Sequence, residues 1–340
     1  MARKPLAQLS VVLFLFSTLR AETVTLSMDF VNLCKNRATI DAQLELDQHL
    51  TKPHRVTSGP NDGDVHMAGR SQDVRLPLVA EIMNAGTEAE SASIKLMNET
   101  PSGQTVAVTG VWRIWFEHPS SGNQTQGDPV PVPANANPDH VFEIHPITKF
   151  GGNDIGDLSL VPIIDPKKLG VSYSAYPANT AFPAYEKLTA TISVSETSVS
   201  ITARKAAYNY TEFILEPAGK WAQGDNGLFV LANVYDLSDE EAPITQRRMV
   251  FVDNTEPAKA LQSLPPGGRL HVLGVPRVNL AEVAAIAPGD SVDMALPYEL
   301  IVVALYPDSA SGDESSTDSG FSTGTSSQEH KPKKPTEPKP

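Results

Sequence analysis

The chain of 340 residues holds a single cysteine, Cys34, so it can form no internal disulfide and must draw its stability from packed cores. One cysteine also excludes a zinc site built on two or more thiolates. Cys34 lies well past Ala21 and so is not a lipid-attachment cysteine at a signal junction. Its expected role is that of a small buried apolar side chain, the other use being a pairing between chains. Positive charge is in deficit: 27 Lys and Arg stand against 40 Asp and Glu, a formal charge of −13. A general phosphate-binding surface needs a basic stripe. Nucleic acid is therefore disfavoured as a partner, and neutral or cationic small molecules or proteins are favoured. Aromatic residues make up only 6 %. No G-x-S-x-G, H-E-x-x-H, phosphate-binding loop or dinucleotide glycine fingerprint occurs. Beyond the first residues no apolar run reaches the roughly 20 residues that a spanning helix needs.

The N-terminus reads as an export signal. Arg3 and Lys4 supply the positive start, Leu9–Leu19 is the apolar stretch, and Ala21 closes a cleavage edge, although Leu19 is larger than the usual residue there. An uncleaved anchor is the competing reading. Residues 1–21 are thus expected to be a signal peptide and the protein to be secreted or periplasmic. The sequons at Asn98, Asn123 and Asn209 matter only in a host that glycosylates them. Residues 307–340 have almost no apolar side chain, cannot offset ordering entropy by burial, and read as a disordered tail.

Between these ends, Gly, Pro and Asn recur at roughly ten-residue intervals between β-branched runs, the mark of an all-β sandwich or barrel. The runs include "TVTLSMDFV", "TIDAQLEL", "VRLPLVAEIM", "ASIKLM", "VAVTGVWRIWFEH", "HVFEIHPIT", "GLFVLANVYDL", "RRMVFV" and "ELIVVALYP". Two short helices are expected: Glu256–Leu264 behind the cap Thr255, and Asn279–Ala287 with Asn279 as its cap. A Pro/Gly-rich passage over 151–183 suggests a boundary. The reading is an OB-like β domain over 22–165 and a second barrel- or sandwich-like β domain over 166–306. No convincing internal repeat is visible, although each half ends on a strand of the form apolar–Glu–Ile or Leu, "HVFEIHPI" and "PYELIVVAL".

Two crowded runs, "GVWRIWFEHP" (Gly110–Pro119) and "PDHVFEIHPI" (Pro138–Ile147), gather Trp, Arg, His and Glu. Strand side chains alternate faces. Trp112, Ile114, Phe116, Phe142 and Ile144 form the expected core face. Arg113, Trp115, Glu117, Glu143 and His145 then share the opposite, outward face. These five are the candidate ligand-binding residues, with Trp115 beside Arg113 suited to stack on a ring or sugar. A cross-strand ion pair of Arg113 with Glu143 or Glu117 is the purely structural use of the same residues. The connection Ser120–Asp139 is long, polar and proline-rich, as functional loops often are.

Upstream, "NDGD" marks a turn, Asp64 and His66 fall on one strand face, and "VRLPLVAEIMN" carries Arg75 and Glu81. Six of the eight histidines lie between His49 and His145. Asp64, His66, Glu81, His118 and His140 are the candidate metal ligands, since imidazole with carboxylate suits Zn²⁺ or Mn²⁺. His118 and His145 each precede a proline, which also suits a strand end. His271 alternates with apolar neighbours and reads as a half-buried structural residue.

The motifs "DGDVHMAG", "LPLVAEIMN", "GVWRIWFEHP" and "NPDHVFEIHPI" resemble a group of uncharacterised exported bacterial proteins with an OB-like domain. That resemblance covers about 52–148 and implies a fold but no activity. "DGD", Gly69, "RLPLV" and Glu81 also follow the order seen in the thermonuclease branch of the OB fold. Carried over, Asp62 or Asp64 and Glu81 would be metal ligands and Arg75 a phosphate contact. This chain departs from that pattern in two ways. "IMNAG" stands where a T-P-x-E is found, and the acid comes one residue late, which places it on the other strand face.

The sequence thus points to a secreted, soluble β-domain protein acting as a ligand- or partner-binding or structural module. It has no required cofactor, and an unidentified small molecule or protein is its partner. The alternative is a metal-dependent, possibly nuclease-like, hydrolase that uses a divalent ion in the His/Asp/Glu cluster and activates water at an open position. If the export reading holds, N-terminal sequencing of the exported protein should find a chain that begins near Glu22; a chain beginning at Met1 or Ala2 refutes it.

Overall fold

In the computed structural model, residues 21–51, 64–83, 92–118, 122–155, 175–238 and 241–306 are described. The body of the expected signal peptide and the expected C-terminal tail lie outside them.

Alternating strands in the first half close on themselves. β1 (Glu22–Ser27) and α1 (Met28–Cys34) lead into β2 (Thr39–His49), β3 (Val65–Arg70), β4 (Leu78–Ile82), α2 (Ala92–Glu99), β5 (Gln104–His118), β6 (Asn123–Thr125), β7 (His140–Phe150) and β8 (Asn153–Asp154). β2, β3 and β4 pair antiparallel in sequence, β4 pairs parallel with β7, and β7 and β2 both flank β5. The ring β2-β3-β4-β7-β5 is a closed five-stranded barrel with a helix between its third and fourth strands, the OB arrangement.

The second half repeats this connectivity. After β9 (Tyr176–Pro177), α3 (Ala178–Tyr185), β10 (Thr189–Val194) and β11 (Ser198–Ala203) come β12 (Thr211–Pro217), β13 (Ala222–Gly224), β14 (Gly227–Tyr235), β15 (Thr245–Val252), α4 (Glu256–Ser263), β16 (Leu270–Val278), α5 (Leu280–Val283), β17 (Ser291–Ala295) and β18 (Tyr298–Leu305). β12 pairs with both β14 and β16, β14 with β15, β15 in parallel with β18, and β18 with β16. An all-β chain with few short helices, built on two barrels, is what the sequence led one to expect.

A third sheet, in the order β17-β10-β11-β1-β6, draws strands from both sides of the boundary expected near residue 165. β1 runs against β11 with Val24 opposite Ile201 and Leu26 opposite Val199, all buried. Its other face carries hydroxyl pairs, Thr23 with Thr202 and Thr25 with Ser200, at 2.7 and 2.9 Å. One edge strand, β6, comes from the Ser120–Asp139 connection, which therefore holds a paired strand. The other edge, β17, comes from the equivalent connection of the second barrel.

Local signals explain the helices. Ser27 caps α1 by accepting from the Phe30 amide, which splits "TVTLSMDFV" into a strand and a helix. Thr255 and Asn279 cap α4 and α5 as expected, although α5 is shorter than the expected Asn279–Ala287. "ASIKLM" is the helix α2 rather than a strand: its Ile94 and Met97 are buried three positions apart, a helical spacing that so short an apolar run does not distinguish from a strand. "VRLPLVAEIMN" forms a strand only over Leu78–Ile82, and Arg75 sits in a turn with φ 58°. Cys34 is fully buried, and burial pushes its thiol up to about 12.

Equivalent positions in the two barrels carry the same residues. On the fourth strands, "GVWR" (Gly110–Arg113) matches "GVPR" (Gly274–Arg277). On the fifth, Glu143 lies opposite Arg113 and Glu299 opposite Arg277. Gly110 and Gly274 both sit at breaks in strand register. A Cβ on Gly110 would lie 2.6 Å from the Pro146 carbonyl, and one on Gly274 2.7 Å from the Phe213 ring. At Gly110 the neighbouring backbone leaves no room for a larger residue, and at Gly274 the Phe213 ring fills the space.

Trp112, Ile114, Phe116, Phe142 and Ile144 are each fully buried, as the alternation implied. Trp112 also donates to the Arg37 carbonyl at 2.6 Å and lies under the Arg277 guanidinium, 3.7 Å from the ring centroid. Trp112→Ala should cost about 3–5 kcal/mol, the range for emptying a large aromatic site. Denaturant unfolding tests this, and an unchanged midpoint overturns the assignment.

Candidate functional site

The alternation of β3, β4, β5 and β7 turns one set of side chains away from the first barrel: Asp64, His66, Glu81, Arg113, Trp115, Glu117, Glu143 and His145. Arg113 and Glu143 face each other across β5 and β7, as do His66 and Glu81 across β3 and β4. Alternation along the sequence had set Arg113, Trp115, Glu117, Glu143 and His145 on one face, and Asp64 with His66 on one face of their own strand. That face was expected to point outward from the sheet, and it does, but into the second barrel and not into solvent. Arg113 and His145 are wholly buried, and Glu143 and Trp115 are 1 % exposed. The second barrel and α3 cover them. Trp115 packs edge-on against Tyr185 at 5.6 Å, so it has no free face on which to stack a ligand.

Arg113 is the centre of the face. Its guanidinium donates to Glu143 Oε2 at 2.5 Å, to Glu117 Oε2 at 2.7 Å and to the Pro276 carbonyl of the second barrel at 2.9 Å. Glu143 Oε1 meets His140 Nε2 at 2.8 Å, while His140 Nδ1 donates to the Pro138 carbonyl at 2.6 Å. Both partners of His140 are acceptors, so the His140–Glu143 contact must hold a proton. The register breaks between Ile114 and His118, so His118 does not continue the buried row of Trp112, Ile114 and Phe116. His118 stands half-buried at the rim, stacked on His140 at 5.0 Å and 3.1 Å from Glu117.

A second group adjoins the first. Tyr210, in the segment leading into the second barrel, donates to Asp64 Oδ2 at 2.6 Å and lies 2.6 Å from His145 Nε2. His145 Nδ1 lies 2.8 Å from Glu81 Oε2 and 3.7 Å from Glu143 Oε2. His66 Nε2 is 3.4 Å from Glu81 Oε1. Two sets of donors are close enough to share an ion: Asp64, Glu81 and His145, and His118, His140 and Glu143. The sequence named all six residues but had divided them between a ligand set and a metal set, because strand pairing cannot be read from it. It missed Tyr210 altogether. The Arg75 guanidinium lies beside Gly127. Asp62 lies outside the described residues.

Burial alone would raise the Glu143 carboxyl, but the Arg113 charge and the His140 hydrogen bond hold it well below the usual range. Glu117 is lowered against its own burial by Arg113 and by the bond from His118. Burial would lower His118, yet the bond and charge of Glu117 raise it. A hydrolase here would have to bring substrate and water to carboxylates and imidazoles that the second barrel closes off.

Elsewhere, a cleft of about 500 Å³ opens on the second barrel, lined by Phe229, Leu231, Gln246, Arg247, Arg248 and Asn279, with Ala222 and Glu282 at its ends. It lies on the second and third strands of that barrel, between the connections that carry β13 and α5. Arg248 stacks over Phe229 at 4.2 Å and bonds Glu299 at 2.7 Å, and Arg247 pairs with Glu186. Leu231 is 49 % exposed and Trp221, next to Ala222, 41 %. The only trace of this cleft in the sequence is "RRMVFV" following "KWAQGDNGLFVL".

No known protein family matches the chain, and no curated protein matches it. Among solved structures it is similar to a murine DNA-binding protein bound to double-stranded DNA, at 8 % identity and a TM-score of 0.19, over 77 % of this chain and 92 % of that one. It is also similar to a replication protein A heterotrimer bound to single-stranded DNA, at 8 % identity and a TM-score of 0.18, over 71 % of this chain and 45 % of that one. Among the described residues no helix is long and apolar enough to cross a membrane.

Two outcomes follow from the buried face. Arg113→Ala leaves the buried Glu143 without its guanidinium partner, bonded to His140 alone, and should cost about 3–5 kcal/mol; a loss below 1 kcal/mol, read from denaturant midpoints, contradicts the burial. The pH profile should decline at both ends. Glu117 and Glu143 contribute stability above the unfolded carboxylate value of about 4.3, lost as pH falls through their lower folded values. His118 contributes below its unfolded value of about 6.5, and that is lost as pH rises through its raised folded value. Undiminished stability at about pH 2 would refute the carboxylate part.

Proposed function

We propose that the protein is a secreted, non-catalytic binding module whose ligand site is the cleft on the second barrel. The observation that carries this reading is where the cleft lies. It occupies the face of the second and third strands, flanked by the first-to-second and fourth-to-fifth connections, which is where barrels of this connectivity take oligonucleotides and oligosaccharides.

The lining selects between those two ligands. Both arginines are engaged by carboxylates, Arg247 by Glu186 and Arg248 by the Glu299 that it shares with Arg277, so neither guanidinium is free to serve a phosphate chain. The chain as a whole is strongly acidic. What remains is flat or apolar surface, from the planar Arg248 guanidinium stacked on the buried Phe229 and from exposed Leu231, with Trp221 exposed next to Ala222 at the cleft's end, beside the amides of Gln246 and Asn279. Flat surfaces next to amide donors and acceptors suit the apolar faces and hydroxyl edges of neutral sugar rings.

Calorimetric titration with a panel of neutral oligosaccharides should find a binder. Leu231→Asp, at an exposed position outside the core, should weaken it at least about ten-fold, some 1.4 kcal/mol. Preferential binding of an oligothymidine control, or sugar binding that Leu231→Asp leaves unchanged, would overturn the proposal.

A further inference from the structure

We propose that Asp64, Glu81 and His145 hold a divalent cation of the Zn²⁺ or Mn²⁺ class, sealed between the two barrels as a structural ion. This site is separate from the cleft and does not depend on the reading given to it. Asp64 immediately precedes β3, Glu81 is on β4 and His145 on β7, strands that neighbour one another in the first barrel. One donor atom from each lies within 4.8 Å of the other two, and all three residues are buried.

The orientation of His145 points to a ligand. Its Nε2 is engaged by the Tyr210 hydroxyl at 2.6 Å, which fixes the ring and leaves Nδ1 as the coordinating atom. Nδ1 is fully enclosed and makes no hydrogen bond, although Glu81 Oε2 is 2.8 Å away and Glu143 Oε2 3.7 Å. A fully enclosed imidazole nitrogen that makes no hydrogen bond, set 2.8 Å from a carboxylate oxygen, is an arrangement that a shared cation resolves. Bonds of about 2.0–2.2 Å to the ion would separate them by only a little more than they stand now. Tyr210 also donates to Asp64 Oδ2 at 2.6 Å, so one hydroxyl orients two of the three ligands, as the outer groups of metal sites do.

An N/O donor set without thiolate favours Zn²⁺ or Mn²⁺. The other trio is less suited, because both nitrogens of His140 already have partners and His118 is half open to solvent.

The test refolds the full chain after exhaustive chelation, with and without Zn²⁺ or Mn²⁺ alone, and reads bound metal by elemental analysis and stability by thermal melting. About one equivalent should be retained, with a higher melting temperature than the metal-free protein. Glu81→Gln, which keeps the side-chain shape, should abolish both effects, and His118→Ala should preserve both. Absence of retained metal, with identical melting curves, would show the cluster to be held by protons alone and overturn the proposal. Retention that survives Glu81→Gln but is lost in His118→Ala would overturn it in favour of the other trio. If Glu81→Gln does not refold, the unaltered chain and His118→Ala still decide, since metal retained and stabilising in both supports the assigned ligands.

Discussion

The architecture depends on a reciprocal pair of buried arginines. Arg113 of the first barrel donates to the carbonyl of Pro276, the residue before Arg277; Arg277 of the second donates to the carbonyl of Trp112, the residue before Arg113. Each also binds the glutamate on the next strand of its own barrel, Glu143 or Glu299. A guanidinium has five donors in a fixed fork. It can therefore saturate a carboxylate inside one barrel and still reach a backbone carbonyl of the other. Because the acceptors are main-chain atoms, the lock fixes the position of one strand against another and not merely one side chain against another. Arg277 additionally reaches the Ala38 and Arg37 carbonyls and lies over Trp112, so the second barrel's arginine also covers the core tryptophan of the first.

The two halves of the lock are not equal in charge. Arg113 serves two acids, Glu117 and Glu143, and both raise its affinity for its proton against the effect of burial. Arg277 shares one acid, Glu299, with Arg248, and burial prevails and lowers it. The first barrel thus brings an excess of negative charge to the interface and the second an excess of positive charge. Buried ion pairs of this kind contribute less to net stability than to specificity, since desolvation offsets much of the attraction. Here that specificity is in how the barrels dock. A shifted docking would strand charged groups without partners on both sides.

Much of this was legible in the sequence, and its limits have physical causes. The two-residue period separated Trp112, Ile114 and Phe116 from Arg113 and Trp115, and Thr255 and Asn279 announced their helices. The form apolar–Glu–Ile/Leu at the end of each half was a true trace of the repeat, but "GVWR" and "GVPR" are too short to reveal it without strand register. Periodicity states which face a residue is on and not what covers that face. Trp115 and Glu143 therefore read only as outward-facing, and the barrel that lies over them could not be seen. Short apolar runs fit a strand or a helix equally well, which is why "ASIKLM" misled. The cleft was invisible for a similar reason: Phe229, Arg248 and Asn279 come together only through β14–β15 pairing and the cap of α5.

The third sheet explains why the lock and the cleft coexist without interfering. Its edge strands β6 and β17 belong to the fourth-to-fifth connections of the two barrels, and its centre is β1 with the β10–β11 hairpin. In a lone OB barrel these connections are free to line a ligand face. In the first barrel, Gln124 of β6 bonds Glu22 of β1 and accepts from the Val141 amide at the start of β7, so this strand is tied both to the sheet and to the barrel. In the second barrel, Asn279 and α5 come before β17, which leaves the Asn279 end of the connection beside Arg248 while its far end is anchored. The asymmetry between the barrels therefore lies in what each outer face meets. The first spends its face on docking and the second keeps a face open, so a repeated fold yields one buried docking surface and one surface that carries an open cleft.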